Sequence, residues 1–292
     1  MIESRKPATD SADSRKLRRL VKRRKPINHK DVPFILCWSH KAGCTAALKW
    51  YLHHAGLLDD ALSMHDPNHR LKVHSYENKV LKARADYTDE LVRAIETGKP
   101  MLGFMRCPYQ RVFSSYMILN HWRYLSLMSR GVSNPGITMR QTLVANVYDE
   151  QAPFHQPISF MDYLNWLRHQ NMHTLNPHHA PQTLPLHAHV DITFYRLDDF
   201  DGTITAVERE YGLKISSANR ADFSSGHHRN KTVLPKEEVL GFLETRRPLQ
   251  DYPLSALPQL SKSILAGTDM DRLIREIFAD DIAAYDRIPA LT

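Results

Sequence analysis

The chain of 292 residues has 42% hydrophobic and 24% charged residues, the composition of an ordinary globular protein. It contains no run of about 18 apolar residues, which excludes a membrane-spanning helix, and its basic N-terminus lacks the apolar stretch of a secretory signal. A chain of this length can bury one large core. We therefore expect a cytoplasmic protein.

The net charge of +7 is concentrated at the N-terminus. Residues 1–30 contain eleven Lys or Arg and three Asp or Glu, whereas the other 262 residues contain 28 Lys or Arg and 29 Asp or Glu. Blocks of like charge usually remain solvated, so the sequence predicts a disordered basic arm over residues 1–30 and a single domain over residues 31–292. Eight cations within residues 15–25 make an anionic membrane surface, at the inner membrane face, a candidate partner. The near-neutral body argues against nucleic acid as a partner.

The three cysteines, Cys37, Cys44 and Cys107, form neither a disulfide framework nor a metal-binding spacing. Among the 17 histidines, three adjacent pairs occur at residues 53–54, 178–179 and 227–228. Adjacent side chains diverge on a strand or a helix, so these pairs are poorly suited to chelation. The sequence therefore predicts no metal site.

In chain order, short apolar runs alternate with helical patterns. A buried strand is predicted at residues 32–38, a second apolar strand at residues 101–105 and a third strand at residues 190–195. Helices are predicted from Thr45 onward, from Tyr109 to about Leu127, and over residues 89–97, 160–169, 202–212, 236–246 and 270–285. A loop is expected over residues 129–138. The alternation of strands and helices indicates one α/β domain built on a mostly parallel sheet.

The segment Ser39–Thr45 follows the first strand and opens the first helix of the predicted domain. Its sequence, Ser-His-Lys-Ala-Gly-Cys-Thr, places a lysine, a glycine and a hydroxyl where a helix N-terminus offers N–H groups to an anion. It is not the nucleoside-triphosphatase loop, which needs a second glycine and a lysine directly before the Ser or Thr. The segment indicates an anion-binding corner, and an ordinary strand–turn–helix corner is the alternative.

A second segment, Arg106–Ser114, follows the second predicted strand. Arg106 ends that strand, Pro108 suits the first turn of a helix, and Ser114 lies eight residues after the arginine on that helix. An arginine and a serine hydroxyl placed in this way can bind one phosphate. The alternative is a surface arginine and a helix serine that share no ligand.

Together the two segments resemble the sulfotransferases that use PAPS, 3′-phosphoadenosine 5′-phosphosulfate. Residues 39–45 are similar to the 5′-phosphosulfate loop of that family, and residues 106–116, Arg-Cys-Pro-Tyr-Gln-Arg-Val-Phe-Ser-Ser-Tyr, to its 3′-phosphate segment. The carbohydrate sulfotransferase branch with the chondroitin and HNK-1 enzymes is the most similar. Residues 176–182, the Pro-Gln element, resemble the His-x-x-Pro-Gln element of this branch. Residues 194–198 resemble the strand that follows it, and residues 274–285 resemble its closing helix. The chain departs from the family at His40 and Ala42 and in its cysteine pattern, as expected of a bacterial-type soluble member.

The resemblance implies a P-loop-like three-layer α/β/α fold around a central, mostly parallel sheet. It implies transfer of a sulfuryl group from PAPS to a hydroxyl of a carbohydrate or lipid-linked glycan, with 3′-phosphoadenosine 5′-phosphate (PAP) as product and no metal. Lys41 would stabilise the leaving phosphate, while Arg106 and Ser114 would bind the 3′-phosphate. The loop residues expected to bind the donor are Lys41, Ala42, Gly43, Cys44 and Thr45. A basic loop near the C-terminus adds Arg229 and Lys231 as phosphate contacts.

The acceptor hydroxyl needs a general base, and histidine suits this role because its pKa lies near neutrality. His74 is the leading candidate, since related sulfotransferases place their base between the first helix and the second strand. His178 and His179, in the Pro-Gln element, come next, and a carboxylate such as Glu77 also fits. The alternatives to a sulfotransferase are a P-loop kinase that uses ATP, and a non-catalytic membrane- or nucleic-acid-binding module that acts through the basic arm.

Overall fold

The computed structural model describes residues 11–65, 72–120, 135–172, 174–223, 234–246 and 260–289. Within these ranges the chain forms a mixed α/β structure with many helices and one small parallel sheet. None of the helices in these ranges combines the length and the apolarity that crossing a bilayer requires. Arg229 and Lys231, which the sequence predicts as phosphate contacts, lie outside the described residues.

The sheet has three parallel strands in the order β1-β2-β3. Their bounds are Ile35–Cys37 for β1, Met101–Met105 for β2 and Thr193–Arg196 for β3. Every residue of β1 and β2 is buried, which is typical of parallel strands covered on both faces. The sheet contains three strands at the predicted places and in parallel, but β1 is shorter than residues 32–38, and β3 begins and ends later than the predicted residues 190–195. The carboxyl ends of the strands therefore meet at one edge of the sheet.

Helices connect the strands and continue to the C-terminus. Their bounds are Ala12–Arg23 (α1), Cys44–His54 (α2), Leu58–Ser63 (α3), Lys72–Tyr76 (α4), Tyr87–Glu96 (α5), Pro108–Asn120 (α6), Pro135–Val147 (α7), Phe160–Arg168 (α8), Phe200–Glu210 (α9), Arg220–Phe223 (α10), Lys236–Glu244 (α11), Lys262–Leu265 (α12), Asp269–Ile277 (α13) and Ala279–Asp286 (α14). A π-helical turn, Glu77–Leu81, continues α4. Short 3-10 turns lie at Pro185–Ala188, Leu197–Asp199 and Ser217–Asn219.

One helix prediction and one loop prediction need correction. The helix predicted over residues 270–285 is interrupted at Phe278, whose φ of −118° and ψ of 33° separate α13 from α14. The loop predicted over residues 129–138 is wrong from Pro135 onward, because α7 begins there. Proline is well suited to the first position of a helix, so the residue that suggested a loop instead opens a helix.

Within the basic arm that the sequence predicts over residues 1–30, residues 11–30 include helix α1 and pack against the body. Ser11 caps α1 by accepting a hydrogen bond from the N–H of Ser14. Leu17, Leu20 and Val21 share one face of the helix, with Val21 fully buried in the core beside α5. Their spacing is that of an amphipathic helix, and the dense positive charge around them concealed this pattern.

Two large apolar clusters fill the domain. The first contains the buried side chains of α1, α2 and α5 and of the first two strands, and the second contains those of α6, α8, α11 and α13. Phe104 of β2 belongs to the first cluster, and Tyr109 of α6 belongs to the second. The turn from β2 to α6, which begins at Arg106, therefore lies where the two clusters meet.

Val21→Ala is expected to lower the free energy of unfolding by about 2 kcal/mol, because it removes two buried methyl groups. Lys22→Ala changes the exposed neighbour on the same helix and is expected to have an effect below about 0.5 kcal/mol. Urea denaturation of the two variants measures the difference. Equally small effects would contradict the packing of α1 against the body.

Candidate functional site

Residues 39–43 form a tight turn between β1 and α2. Lys41, with a φ of 66°, and Gly43, with a φ of 67°, both adopt the left-handed backbone conformation. For lysine this conformation is sterically unfavourable, and such residues cluster at functional sites. A Cβ at Gly43 would lie 2.4 Å from Cδ1 of Leu197, which follows β3. Because α2 begins at Cys44, the N–H groups of its first turn have no acceptor within the helix.

Two arginines from the segment after β2 hold the carbonyl groups of this turn. Arg111 Nε donates to the carbonyl of His40 over 3.1 Å, and Arg106 Nη1 donates to the carbonyl of Lys41 over 3.2 Å. Arg111, which is fully buried, also donates to the carbonyl of Ala180. The two segments that the sequence analysis singled out are therefore in direct contact.

A third arginine reaches the same place from the N-terminal arm. Arg24 follows α1, and its Nη1 donates to Ser39 Oγ over 2.6 Å and to the carbonyl of Gln182 over 3.2 Å. Its Nη2 donates to the carbonyl of Pro181 over 3.2 Å. Arg24 lies in the arm that the sequence predicts to be solvated, and no pattern indicates its contacts, since a run of basic residues carries no sign that one of them turns inward.

Gln182 joins the end of β2 to the C-terminal helices. Its side-chain amide donates to the carbonyl of Arg106 and accepts from the N–H of Arg106, both over 2.9 Å. Asp281, on α14, accepts hydrogen bonds from the N–H groups of Gln182 and Thr183 and from the hydroxyl of Thr183, each over 2.8 Å. The turn, the segment after β2, the Pro-Gln element and the closing helix thus form one connected network.

His74, on α4, lies beside the first turn of α2. Its Nε2 is 3.1 Å from Thr45 Oγ1, and its Nδ1 is 3.0 Å from Glu77 Oε2. Burial disfavours the charged ring, but hydrogen bonds to Cys44 and Glu77 outweigh burial and raise the pKa of His74 to about 9. His74 is therefore an imidazolium at neutral pH. The other donors to the buried Glu77 carboxylate are Trp38 Nε1 and Lys82 Nζ.

The ring of His178 packs against that of His40 in the turn, with the two centroids 4.5 Å apart. Its Nδ1–H donates a hydrogen bond to the side-chain oxygen of Asn176 over 3.0 Å, which leaves Nε2 as an acceptor. Burial, followed by the charges of Lys41 and Arg111, lowers the pKa of His178 to about 4. His178 is therefore neutral at pH 7, in contrast to His74.

Three further predicted site residues have different surroundings. His179 is 1% exposed, and its Nδ1 lies 2.7 Å from Tyr163 Oη, so its ring belongs to the packed interior. Ala42 is fully buried and can offer only its backbone to a ligand. Ser114, on α6, is partly exposed, and within the described part of the chain its hydroxyl makes no hydrogen bond and does not contact Arg106.

Arg106 and Arg111 are buried, Arg24 is partly buried, and the hydrogen-bond partners of all three are neutral. No ion pair among the described residues includes Arg24, Arg106 or Arg111. Burial lowers the pKa of Arg24 and of Arg106 to about 10, and the nearby charges of Asp281 and Asp198, respectively, offset only part of this effect. An anion bound at this place would relieve the remaining cost of burying these cations.

The site can therefore orient an anion and stabilise negative charge, through the N–H groups of α2, the arginines and the imidazolium of His74. Over the described ranges, no cluster of three or more His, Cys, Asp or Glu side chains is arranged to hold a metal ion. No protein-family model, curated protein or solved structure matches the chain.

Gly43→Ala is expected to be more destabilising than Gly56→Ala. Both glycines have left-handed backbones, with φ of 67° and 69°, so both substitutions carry the same conformational cost. Only a Cβ at Gly43 meets Leu197, since one at Gly56 has nothing within 4 Å. We expect Gly43→Ala to lower the free energy of unfolding by about 1–3 kcal/mol more, measured in urea. Equal losses would contradict the close approach of the turn to Leu197.

Proposed function

We propose that the protein is a PAPS-dependent sulfotransferase that acts on a hydroxyl of a carbohydrate or glycolipid-type acceptor. The observation that carries the proposal is the group of three arginines around the Lys41 turn, two buried and one partly buried, whose hydrogen bonds go to neutral groups. The segments that resemble the two phosphate-binding elements of that family meet through the Arg106–Lys41 hydrogen bond. A turn that follows the first strand of a parallel sheet also supports a P-loop-like three-layer arrangement.

In the proposed reaction, the acceptor oxygen forms a bond to sulfur as the bond from sulfur to the 5′-phosphate oxygen breaks. PAP leaves with the electron pair of that bond, and the proton of the acceptor hydroxyl passes to a general base. The protein mainly positions the donor and stabilises charge on the leaving oxygen. Lys41 is proposed to neutralise that charge, while Thr45 and the first N–H groups of α2 hold the 5′-phosphate. Arg106 and Ser114 are proposed to hold the 3′-phosphate.

We assign the general base to His178, although its position in the sequence favours His74. His178 is neutral at pH 7, and part of the lowering of its pKa comes from Lys41 and Arg111. An anionic donor would compensate those charges and bring the pKa of His178 closer to neutrality, where a general base is most effective. The same donor would stabilise the imidazolium of His74, which then serves as a cation beside Thr45.

Calorimetry with PAP tests the proposed donor site. Arg106→Ala and Ser114→Ala are each expected to weaken PAP binding by about tenfold or more, because a charge-assisted phosphate contact is lost. Adenosine 5′-phosphate, which lacks the 3′-phosphate, is the matched ligand, and Ser114→Ala should leave its affinity unchanged. A native chain that binds no PAP would sink the proposal, and stronger thermal stabilisation by ATP than by PAP would favour a kinase.

The pH dependence of kcat/KM for transfer from PAPS distinguishes the two candidate bases. Because kcat/KM reports the pKa values of the free enzyme, His178 as the base predicts that kcat/KM falls as pH drops through about 4 and is level at neutral pH. With His74 as the base, the rate rises with pH up to about 9. Glu77→Gln removes a partner that raises the pKa of His74, so it shifts the profile to lower pH only in the second case. A rise up to about pH 9 that Glu77→Gln shifts would refute the assignment to His178.

A further inference from the structure

We propose that Arg24 is a positioning residue of the donor site, and that α1 thereby becomes part of that site. The inference rests on the proposed function, since it concerns the site that is proposed to bind PAPS. Arg24 is not expected to touch the donor. It acts through the two segments that its guanidinium connects, the turn at residues 39–43 and the Pro-Gln element.

The guanidinium of Arg24 bridges segments that are far apart in the sequence. Ser39 Oγ accepts from Arg24 over 2.6 Å and donates to the carbonyl of Gln182 over 3.3 Å. That carbonyl and the carbonyl of Pro181 also accept from Arg24, each over 3.2 Å. Arg24, Ser39 and the carbonyl of Gln182 therefore form a closed set of hydrogen bonds. Together with the bridge from Arg111 to the carbonyls of His40 and Ala180, this set fixes how far the turn lies from the Pro-Gln element.

This separation matters because both segments hold proposed donor contacts. Ser39 lies two residues before Lys41, and the side-chain amide of Gln182 clamps the backbone of Arg106 on both sides. Lys41 and Arg106 are the residues assigned to opposite ends of the donor. A change at Arg24 would therefore alter the spacing between the two phosphate-binding groups without removing either of them.

The backbone on both sides of Arg24 is anchored. One turn before it, Leu20 and Val21 pack α1 against the core. Three residues after it, Ile27 pairs with Leu36 of β1 through two backbone hydrogen bonds of 2.8 Å. Arg24 is thus fixed relative to the strand from which the turn begins. Its guanidinium can therefore hold the turn and the Pro-Gln element in fixed relative positions.

A planar guanidinium is required for this role. It donates in several fixed directions at once, whereas a lysine ammonium is a single point donor on a flexible chain. Arg24→Lys keeps the charge but is expected to lose part of the bridge, and Arg24→Gln loses both the charge and the bridge. Lys22→Gln removes the same charge from the exposed side of α1 and serves as the matched control.

Hydrogen–deuterium exchange tests the bridge without a ligand. In Arg24→Gln, the amides of residues 39–45 and of Ala180, Gln182 and Thr183 are expected to exchange about tenfold faster or more, and in Arg24→Lys to a smaller extent. Lys22→Gln is expected to match the native chain. If Arg24→Gln does not fold, Arg24→Lys carries the test, because it retains the buried charge.

Donor binding and kinetics test the consequence for the site. Arg24→Gln is expected to bind PAP about tenfold more weakly and to raise the KM for PAPS by a similar factor, with the KM for the acceptor within about twofold of native. Millimolar guanidinium should restore part of the affinity, an effect that a general loss of stability would not produce.

Unchanged exchange in both segments would overturn the inference, and so would faster exchange with unchanged PAP affinity. A native chain that does not bind PAP would instead sink the proposed function and the donor-positioning role together. If the native chain binds PAP and the Arg24 variants bind it with unchanged affinity, only the inference about Arg24 would be overturned.

Discussion

Buried arginines that donate to backbone carbonyls hold the candidate site together. Arg24, Arg106 and Arg111 each donate to carbonyl groups in or beside the turn, and within the described structure none of them forms an ion pair with a carboxylate. Carbonyl groups accept these hydrogen bonds but do not cancel the charge of the guanidinium groups. Under the proposed function, the interactions that fix the turn also prepare it for an anion. Stability and ligand binding would then be coupled in these three residues.

The elements that lie next to the site could be predicted from local sequence. β1 and β2 are short apolar runs bounded by turn residues, and the helices after them begin at Cys44 and Pro108, close to the positions predicted. Parallel strands bring their carboxyl ends together, which explains why the turn after β1 and the arginine after β2 are neighbours. The fold around Lys41 and Arg106 follows from patterns that span fewer than about 20 residues.

The contacts that complete the site depend on residues distant in the chain, and no local pattern indicates them. Gln182 and Asp281 had been noted only as members of similar segments, and their role as a backbone clamp appears only when their partners are known. The two candidate bases differ for the same reason. Burial and the charges of Lys41 and Arg111 keep His178 neutral, whereas hydrogen bonds to Cys44 and Glu77 keep His74 charged, so the order of the two histidines along the chain says little about their chemistry.

The hydrogen bonds from Gln182 and Thr183 to Asp281 impose an order on the biosynthesis of this site. Asp281 lies 99 residues after Gln182, so a nascent chain contains the turn, β2 and the Pro-Gln element well before it contains the carboxylate that orients that element. Closing so long a loop is slow compared with forming a helix or a turn. The network that joins the turn, Arg106 and the Pro-Gln element to α14 can therefore be completed only after Asp281 has been synthesised.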